Sequence, residues 1–208
     1  MNRRGFTLLE MVIAVAILGA IAGIIAGALR LASTSIERGE DEVGRMARLK
    51  AGIDIIERVI RSADPTAIPL GDNTSPYFRG ERDRIRLLSL SPASPVPGTG
   101  FRLVCFSGTG GAAAAGLAVA DGSPFRQDGA DAWEGADKPR VLLPGAEGLA
   151  FSYSPGPTPE GKWEWQETWD FKEAGRFPGA VRVEFTMPSG SGPLKTSLVI
   201  PVFAEAGS

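Results

Sequence analysis

The feature that most constrains this chain is an apolar run near its N-terminus. From Met11 to Leu29 the sequence has 19 residues without a charged side chain. A helix of that length rises about 28 Å, which is close to the hydrocarbon thickness of a bilayer. Arg3 and Arg4 precede the run, and basic residues of this kind mark the cytoplasmic flank of a membrane helix. The pattern predicts one membrane-spanning helix with a cytoplasmic N-terminus and an exported remainder.

An ordinary secretory signal peptide is the simpler explanation for such a start. Ala20, Ile21 and Ala22 have the small-x-small form of a cleavage site. Two observations favour a retained helix instead. The apolar run continues past Ala22, and Glu10 interrupts the zone that a signal peptide keeps apolar. A charge at the centre of a bilayer helix costs about 2.5–3.5 kcal/mol on insertion scales, so Glu10 needs a compensating interaction.

The residues around Glu10 carry a resemblance to a known family. The segment RRGFTLLEMVIAVAILG resembles the class III signal of type IV prepilins and of the pseudopilins of type II secretion. The resemblance implies that residues 1–5 are a leader, which a prepilin peptidase removes by cutting between Gly5 and Phe6. It also implies N-methylation of Phe6. The protein would then be a single-pass protein of the bacterial inner membrane, with a cytoplasmic N-terminus and a periplasmic globular domain.

Cleavage after Gly5 would give Glu10 a specific partner. By the same resemblance, Glu10 becomes the fifth residue of the mature chain, a position where this family usually has glutamate. The new α-amine of Phe6 would lie in the same apolar layer, so the amine of a neighbouring subunit could pair with the Glu10 carboxylate. Each charge would then offset the cost of burying the other. The alternative is that Glu10 lies near the headgroups without a specific partner.

Apolar residues recur with a helical period after the membrane segment. Between residues 30 and 62 the intervals are 7, 3, 3, 4, 3 and 4, which is one face of an α-helix. The residues on this face are Ile36, Val43, Met46, Leu49, Ile53, Ile56 and Ile60. Asp64 and Pro65 supply a stop. We therefore predict one helix from about Phe6 to Ser62, with a membrane half at 6–29 and an amphipathic half at 30–62 that packs on its own chain.

The remaining residues, 63–208, have the patterns of a β-rich globular domain. Alternating apolar positions predict strands at Arg84–Leu90, Gly100–Ser107, Leu117–Ala120, Leu149–Ser154, Ala180–Met187 and Leu194–Phe203. Turn residues from 188 to 193 predict a C-terminal hairpin. Ser91–Gly100 and Gly108–Gly116 are predicted surface loops, the second a hairpin tip. The predicted fold class is α+β. With the resemblance, this is a pseudopilin fold in which a long N-terminal helix packs on antiparallel β-sheets.

The C-terminal half carries a second, softer resemblance. It is similar to the J-type minor pseudopilin of type II secretion in a Phe-x-Tyr strand, a tryptophan pair, a proline before a valine-rich strand, and a last strand ending in Ile-Pro. The matching residues are Phe151, Tyr153, Trp163, Trp169, Pro178, Val181, Val183, Ile200 and Pro201. Residues 65–140 match poorly. The resemblance implies a pseudopilus tip complex with the I-, K- and H-type subunits that primes assembly of the major pseudopilin, with exported substrates as further candidate partners.

Composition excludes several kinds of active site. The chain has no histidine, which excludes a Ser-His-Asp triad and a His-ligated metal site within it. Cys105 is the single cysteine, and its apolar neighbours predict a buried structural thiol. A net charge of −2 gives no sign of a surface for nucleic acid. We expect no metal, since the acidic segment 128–137 lacks the spacing of a calcium loop. We also expect no enzyme activity and no cofactor, since no carboxylate pair at recognisable spacing and no nucleophile motif appears in the sequence.

Two other functions stay open at this point. Trp163, Trp165 and Trp169 could form an aromatic platform for a sugar or peptide, which would make the chain a membrane-anchored ligand-binding domain. They could also cover a sheet or a subunit interface, where tryptophan is enriched, and we favour that interpretation. The N-terminal motif is shared with minor pilins of type IV pili and DNA-uptake systems, so that role is the main alternative to type II secretion.

Overall fold

The structure, a computed structural model, describes residues 8–70, 73–91, 93, 100–109, 116–123, 139–188 and 192–204. The chain divides into two compact units, Met1–Arg48 and Leu49–Ser208. In chain order the described elements are α1 (Leu8–Arg61), β1 (Ile68–Leu70), β2 (Asn73–Ser75), β3 (Phe78–Gly80), β4 (Arg84–Ser89), β5 (Arg102–Thr109), β6 (Gly116–Gly122), β7 (Arg140–Pro144), β8 (Glu147–Ser154), β9 (Trp169–Asp170), α2 (Phe171–Ala174), β10 (Ala180–Met187) and β11 (Leu194–Pro201).

The described strands form three antiparallel sheets. Strands β1 and β2 pair with each other, β11-β10-β8 form a three-stranded sheet, and β7-β6-β5-β4-β3-β9 form a six-stranded sheet. Neighbours in the two larger sheets are antiparallel throughout. An N-terminal apolar helix followed by antiparallel sheets confirms the predicted α+β class. The architecture is consistent with a pseudopilin fold.

The long helix α1 confirms the prediction of one continuous helix. It runs from Leu8 to Arg61, against predicted limits of Phe6 and Ser62, and Phe6 lies outside the described residues. At its end the Ser62 hydroxyl donates to the Arg58 carbonyl at 2.8 Å. The same hydroxyl shares a 2.7 Å hydrogen bond with that of Ser89 on β4. The last turn is therefore fastened to the six-stranded sheet.

Within the second unit, the last turns of α1 pack against the sheets. The helix residues in the core or at its edge include Leu49, Ile53, Ile56, Val59 and Ile60. Val43 and Met46 are instead 70% and 53% exposed. The prediction that the amphipathic face packs on its own chain agrees with the structure from Leu49 onward. It stays a prediction for Val43 and Met46, which belong to the first unit, and the side chain of Ile36 lies outside the described residues. A helical period identifies an apolar face, but it does not say what covers that face.

Each of the six predicted strands corresponds to an observed strand whose ends differ by at most two residues. The C-terminal hairpin is confirmed, because β10 and β11 pair with Met187 opposite Leu194. The pairing of Thr109 with Gly116 likewise places a hairpin at the second predicted loop. The tip itself, 110–115, lies outside the described residues, as does most of Ser91–Gly100. Strands β1, β2, β3, β7 and β9 were not predicted, because two to five residues are too few for an alternating pattern to be recognised.

One core cluster joins the end of α1 to both larger sheets, and Tyr153 is its largest fully buried side chain. The Tyr153 hydroxyl donates to the carbonyls of Glu81 at 2.9 Å and Arg84 at 3.3 Å. A Cβ atom at Gly80 would overlap the Tyr153 ring. Burial raises the pKa of Tyr153 above its ordinary value. The hydrogen bonds of the Tyr153 hydroxyl therefore hold the turn between β3 and β4, while the rest of this side chain is buried in the apolar core.

Cys105 confirms the prediction of a buried thiol. It lies on β5, with 7% of its surface exposed, opposite Arg86 on β4 and Ala120 on β6. Burial raises the pKa of the Cys105 thiol to about 11. The thiol is therefore protonated near neutral pH, which is the unreactive form.

Candidate functional site

The first candidate site is the apolar half of α1. Residues Leu8–Leu31 form a helix long and apolar enough to cross a membrane, and none of the tested window is buried within the chain. Large apolar side chains are exposed all round this segment, with Leu8 at 83% and Ile24 at 72%. A helix that is apolar on every face needs apolar surroundings that this chain does not itself provide. The segment could anchor the protein in a membrane.

Glu10 lies in the first turn of this helix. The predicted cleavage and methylation positions, Gly5 and Phe6, lie outside the described residues. The pairing of Glu10 with the α-amine of a neighbouring subunit therefore stays a prediction, although its position at the start of the membrane helix is the one that the pairing requires.

The second candidate site is a stacked pair of indoles, Trp163 and Trp165. Their ring centroids lie 5.8 Å apart and the ring planes differ by 17°. The Arg182 guanidinium carbon lies 4.2 Å from the centroid of the Trp165 ring, which is a cation–π contact. The two rings stack on each other in a loop segment that has an isolated bridge from Trp163 to Pro157 and is not a regular strand.

Arg182 connects this pair to the outer face of the three-stranded sheet. Its Nε donates to the Ser152 hydroxyl at 3.0 Å. In the sheet register, Arg182 on β10 lies between Ser152 on β8 and Val199 on β11. Trp163 is 44% exposed and Val199 52%. The outer face therefore presents an exposed indole, a cation held in place and an exposed aliphatic side chain on neighbouring positions, which suits protein–protein contact.

Trp169 does not belong to this pair. It is buried on β9, with 6% of its surface exposed, and its indole N–H donates to the Arg176 carbonyl at 3.0 Å. The expected cluster of three tryptophans is thus a surface pair and a separate core residue. Burial of the indole with its N–H satisfied is the usual arrangement for a structural tryptophan.

A polar cleft of about 550 Å³ lies beside α2, and sequence patterns gave no sign of it. Its lining includes Arg79, Glu81, Gln166, Asp170 and Arg176. The Arg79 Nε lies 3.6 Å from a Glu81 oxygen and 4.0 Å from an Asp170 oxygen. With Glu173, the lining has two arginines and three carboxylates, so charges of both signs are mixed along the cleft.

The described residues do not form a metal centre of clustered side chains. Among the residues with described positions, no three His, Cys, Asp or Glu side chains lie together as a metal site requires. The acidic segment 128–137 lies outside that part of the chain.

The comparison with protein families identifies the N-terminal segment. Residues 1–26 match the family described as "Prokaryotic N-terminal methylation motif". This range contains the predicted cleavage position, the predicted methylation position and Glu10. The motif indicates a protein like the type IV pilins and pseudopilins, anchored by an N-terminal apolar helix. No curated protein sequence matches the chain.

Proposed function

We propose that this protein is a minor pseudopilin of a type II secretion system, of the J type, and that it is part of the complex at the pseudopilus tip. In that role it primes assembly of the major pseudopilin and supports protein export across the outer membrane. Its partners are the I-, K- and H-type subunits. It acts by binding other subunits, and its globular domain lies in the periplasm.

The observation that supports a pilin-like or pseudopilin-like subunit, the coarser part of the proposal, is the methylation motif at residues 1–26 on a helix that continues unbroken to Arg61. A removable signal peptide has no need to continue as one helix into the core of the following domain. Here the same helix supplies Ile56, Val59 and Ile60, all with no exposed surface. The apolar anchor and the globular unit are thus built on one element, as a subunit of a helical filament requires.

The J-type assignment is supported by where its softer resemblance falls. Phe151 and Tyr153 lie on β8, Val181 and Val183 on β10, and Ile200 on β11. All five are buried in one core, and the three strands form one sheet. A pattern shared by neighbouring strands of one sheet has more weight than the same number of scattered matches, because these residues fix the packing of that sheet together.

The proposed processing sets the orientation. Prepilin peptidase cuts between Gly5 and Phe6 on the cytoplasmic side, and Phe6 is then N-methylated. The Glu10 carboxylate of each subunit pairs with the α-amine of its neighbour, which sets the axial register of assembly. Opposite charges within about 4–6 Å favour each other's ionised form, and in an apolar layer this attraction is little screened.

Co-purification tests the assignment. The full-length chain with a C-terminal affinity tag is expressed in a bacterial inner membrane, together with an untagged I-type subunit or, as a matched control, an unrelated single-pass protein of similar length. Detergent extraction and affinity capture should recover the I-type subunit and not the control. Failure to recover the I-type subunit, with capture of a minor pilin from a type IV pilus under the same conditions, would overturn the J-type assignment and leave the methylation motif standing.

A further inference from the structure

The two larger sheets have four edge strands, and three of them are protected. The outer edge of β8 is covered, because Phe151 N–H donates to the Arg82 carbonyl and Tyr153 exchanges two hydrogen bonds with Gln166. Strand β9 has only two residues. Strand β7 has five, begins with Arg140, ends at Pro144 and faces a register shift in β6. Short length, charge, proline and bulges are the usual protections of a sheet edge.

The fourth edge, β11, has a charged residue, Lys195, near its start and a proline, Pro201, at its end, but it is neither short nor interrupted by a bulge. It has eight residues, pairs with β10 without a register shift, and has its only proline at the end. Its sheet order places it at the edge, with β10 as its partner among the described strands. A long, regular edge strand leaves a row of backbone donors and acceptors available to another chain.

The register shows which backbone groups face outward. Val202 N–H donates to the Gly179 carbonyl at 3.0 Å, so this pair is hydrogen-bonded. In an antiparallel ladder every second pair is hydrogen-bonded. The pairs of Ile200 with Val181 and of Leu198 with Val183 therefore face inward to β10. The N–H and C=O groups that face away from β10 belong to Lys195, Ser197 and Val199. Pro201, which has no N–H, takes the next outward position and ends the available row.

The side chains along this edge leave apolar surface uncovered on both faces of the sheet. Val199, on the outer face, is 52% exposed, and Leu194, on the core face, is 47% exposed. Leu198 on the core face is only partly buried although it packs against the core cluster. An added strand would cover all three. Lys195 is exposed and makes no hydrogen bond or ion pair with the residues that the structure describes.

We propose that β11 is a docking edge that binds an extended segment of a different protein chain as an added antiparallel strand. The segment pairs through its backbone with Lys195, Ser197 and Val199. It places an acidic side chain opposite Lys195 and an apolar side chain opposite Val199, because cross-strand neighbours of opposite charge or matched apolar character stabilise a sheet. This inference goes beyond the proposed function and does not depend on the J-type assignment.

The charge pattern favours a different chain over a second copy of the same strand as the occupant. The sequence of β11, LKTSLVIP, contains no aspartate or glutamate. No register of β11 on itself, parallel or antiparallel, therefore brings a carboxylate opposite Lys195. A parallel pairing in register would place two Lys195 side chains beside each other, which is destabilising. A different chain with a carboxylate at the right position satisfies both the backbone and the charge.

A synthetic peptide tests this geometry. The probe is a dye-labelled peptide with the core Val-Ile-Thr-Val-Glu-Val and Gly-Ser flanks. In antiparallel pairing its threonine lies opposite Ser197, its glutamate opposite Lys195 and its first valine opposite Val199. The full-length protein in detergent micelles is titrated with it, and binding is followed by fluorescence anisotropy. Amide hydrogen exchange is measured in parallel. We expect the amides of Lys195, Ser197 and Val199 to exchange quickly without the peptide and slowly with it.

Two matched pairs of variants distinguish strand addition from nonspecific binding of the probe. N-methylation of the probe's threonine removes an N–H that points to β11 and should weaken binding by about tenfold. N-methylation of the valine that follows it removes an N–H that points away, and should leave binding nearly unchanged. Lys195→Glu should weaken binding about threefold. A probe with lysine in place of glutamate should recover that loss on the Lys195→Glu protein.

Three results would overturn the proposal. Equal effects of the two N-methylations would show that the probe does not pair with β11 through its backbone. Slow exchange at Lys195, Ser197 and Val199 in the protein without peptide would show that this edge is already covered. Protection of these amides that rises with protein concentration alone would show that β11 pairs with a second copy of the chain.

Discussion

The two compact units differ in whether their large apolar side chains are exposed or buried. In the apolar half of α1, from Leu8 to Leu31, the large side chains face outward on every side. In the unit from Leu49 onward, 24 buried residues among those that the structure describes form one core cluster. The second unit therefore supplies its own apolar surroundings, whereas the first needs a bilayer or neighbouring helices. The helix α1 contributes residues to both units. The contribution of an apolar residue on α1 to the free energy of unfolding therefore depends on which unit contains that residue.

Truncation of apolar residues on α1 should show this contrast most strongly. Ile56→Ala removes a fully buried side chain and should lower the free energy of unfolding by about 3–4 kcal/mol, from lost burial and the cavity left behind. Met46→Ala, on the same helix face but 53% exposed, should change it by less than about 0.5 kcal/mol. Denaturant unfolding of the full-length chain in micelles measures both. Equal losses for the two variants would mean that Met46 is buried in solution.

Glycine replacements extend the contrast to the strands. In Gly80→Ala the new methyl group would overlap the Tyr153 ring, and we expect a loss of about 2–3 kcal/mol from overpacking. Gly108→Ala on β5 is the matched control, because its Cβ would lie 3.6 Å from the nearest atom, in ordinary contact with Leu149. Gly23→Ala in the apolar half of α1 meets nothing within 4 Å and should leave the unfolding midpoint unchanged. A small effect of Gly80→Ala would mean that Tyr153 can move aside.

The pH dependence of stability should come from buried groups of the second unit. Burial raises the pKa of Cys105 from 9.0 to about 11. Between these values the unfolded thiol loses its proton while the folded one keeps it, so the free energy of unfolding falls as pH rises from 9 to 11. The loss attributable to Cys105 should approach about 2 kcal/mol, and it is absent below pH 8.

The variant Cys105→Ala isolates this contribution. Its stability relative to the natural protein should rise steadily from pH 9 to 11, because the replaced thiol no longer titrates. Tyr153, whose pKa is also raised by burial, is present in both proteins, so its loss above pH 10 cancels in the difference. Denaturant unfolding at fixed pH steps gives the values. A difference that stays constant with pH would show that the Cys105 thiol ionises as readily in the folded chain as in the unfolded one.

Substitution of Glu10, which lies in the first unit, should impair assembly with other subunits and leave the stability of the globular unit unchanged. Glu10→Ala should change the unfolding free energy of the globular unit by less than about 0.5 kcal/mol and should leave membrane insertion intact. Recovery of partner subunits after crosslinking should nevertheless fall sharply, because the α-amine of the neighbouring chain loses its counter-charge. Glu10→Gln serves as the isosteric control and should fail in the same way. Normal recovery of partners with both variants would contradict the pairing.

Much of the fold could be predicted from the sequence because both the helical period and the strand alternation are clear. The interval of three or four along α1 and the alternation in β8, β10 and β11 are long enough to identify helix and strands. Strand β7 could not be found in this way, since Arg140–Pro144 alternates over too few positions. How far burial extends along α1 could not be predicted from the sequence either. The apolar period continues through Val43 and Met46 without a break, although both side chains are exposed.

The candidate sites also differ in how well they can be predicted from the sequence. The N-terminal motif is contiguous, so Gly5, Phe6 and Glu10 can be recognised from a single stretch of sequence. The roles of the tryptophans depend on distant neighbours: Trp165 on Arg182 of β10, and Trp169 on the Arg176 carbonyl. The outward row on β11 depends on a register that one hydrogen bond fixes. Such relations arise only when strands far apart in the chain are brought together.

The N-terminus of the mature protein tests the central claim most directly. The full-length chain is expressed in a bacterium that has prepilin peptidase, purified from the inner membrane, digested, and its N-terminal peptide sequenced by mass spectrometry. A prepilin-like subunit should begin at Phe6 and carry one added methyl group on its α-amine. A chain that keeps Met1 to Gly5 in the presence of the peptidase, or one that begins after Ala22, would contradict the account.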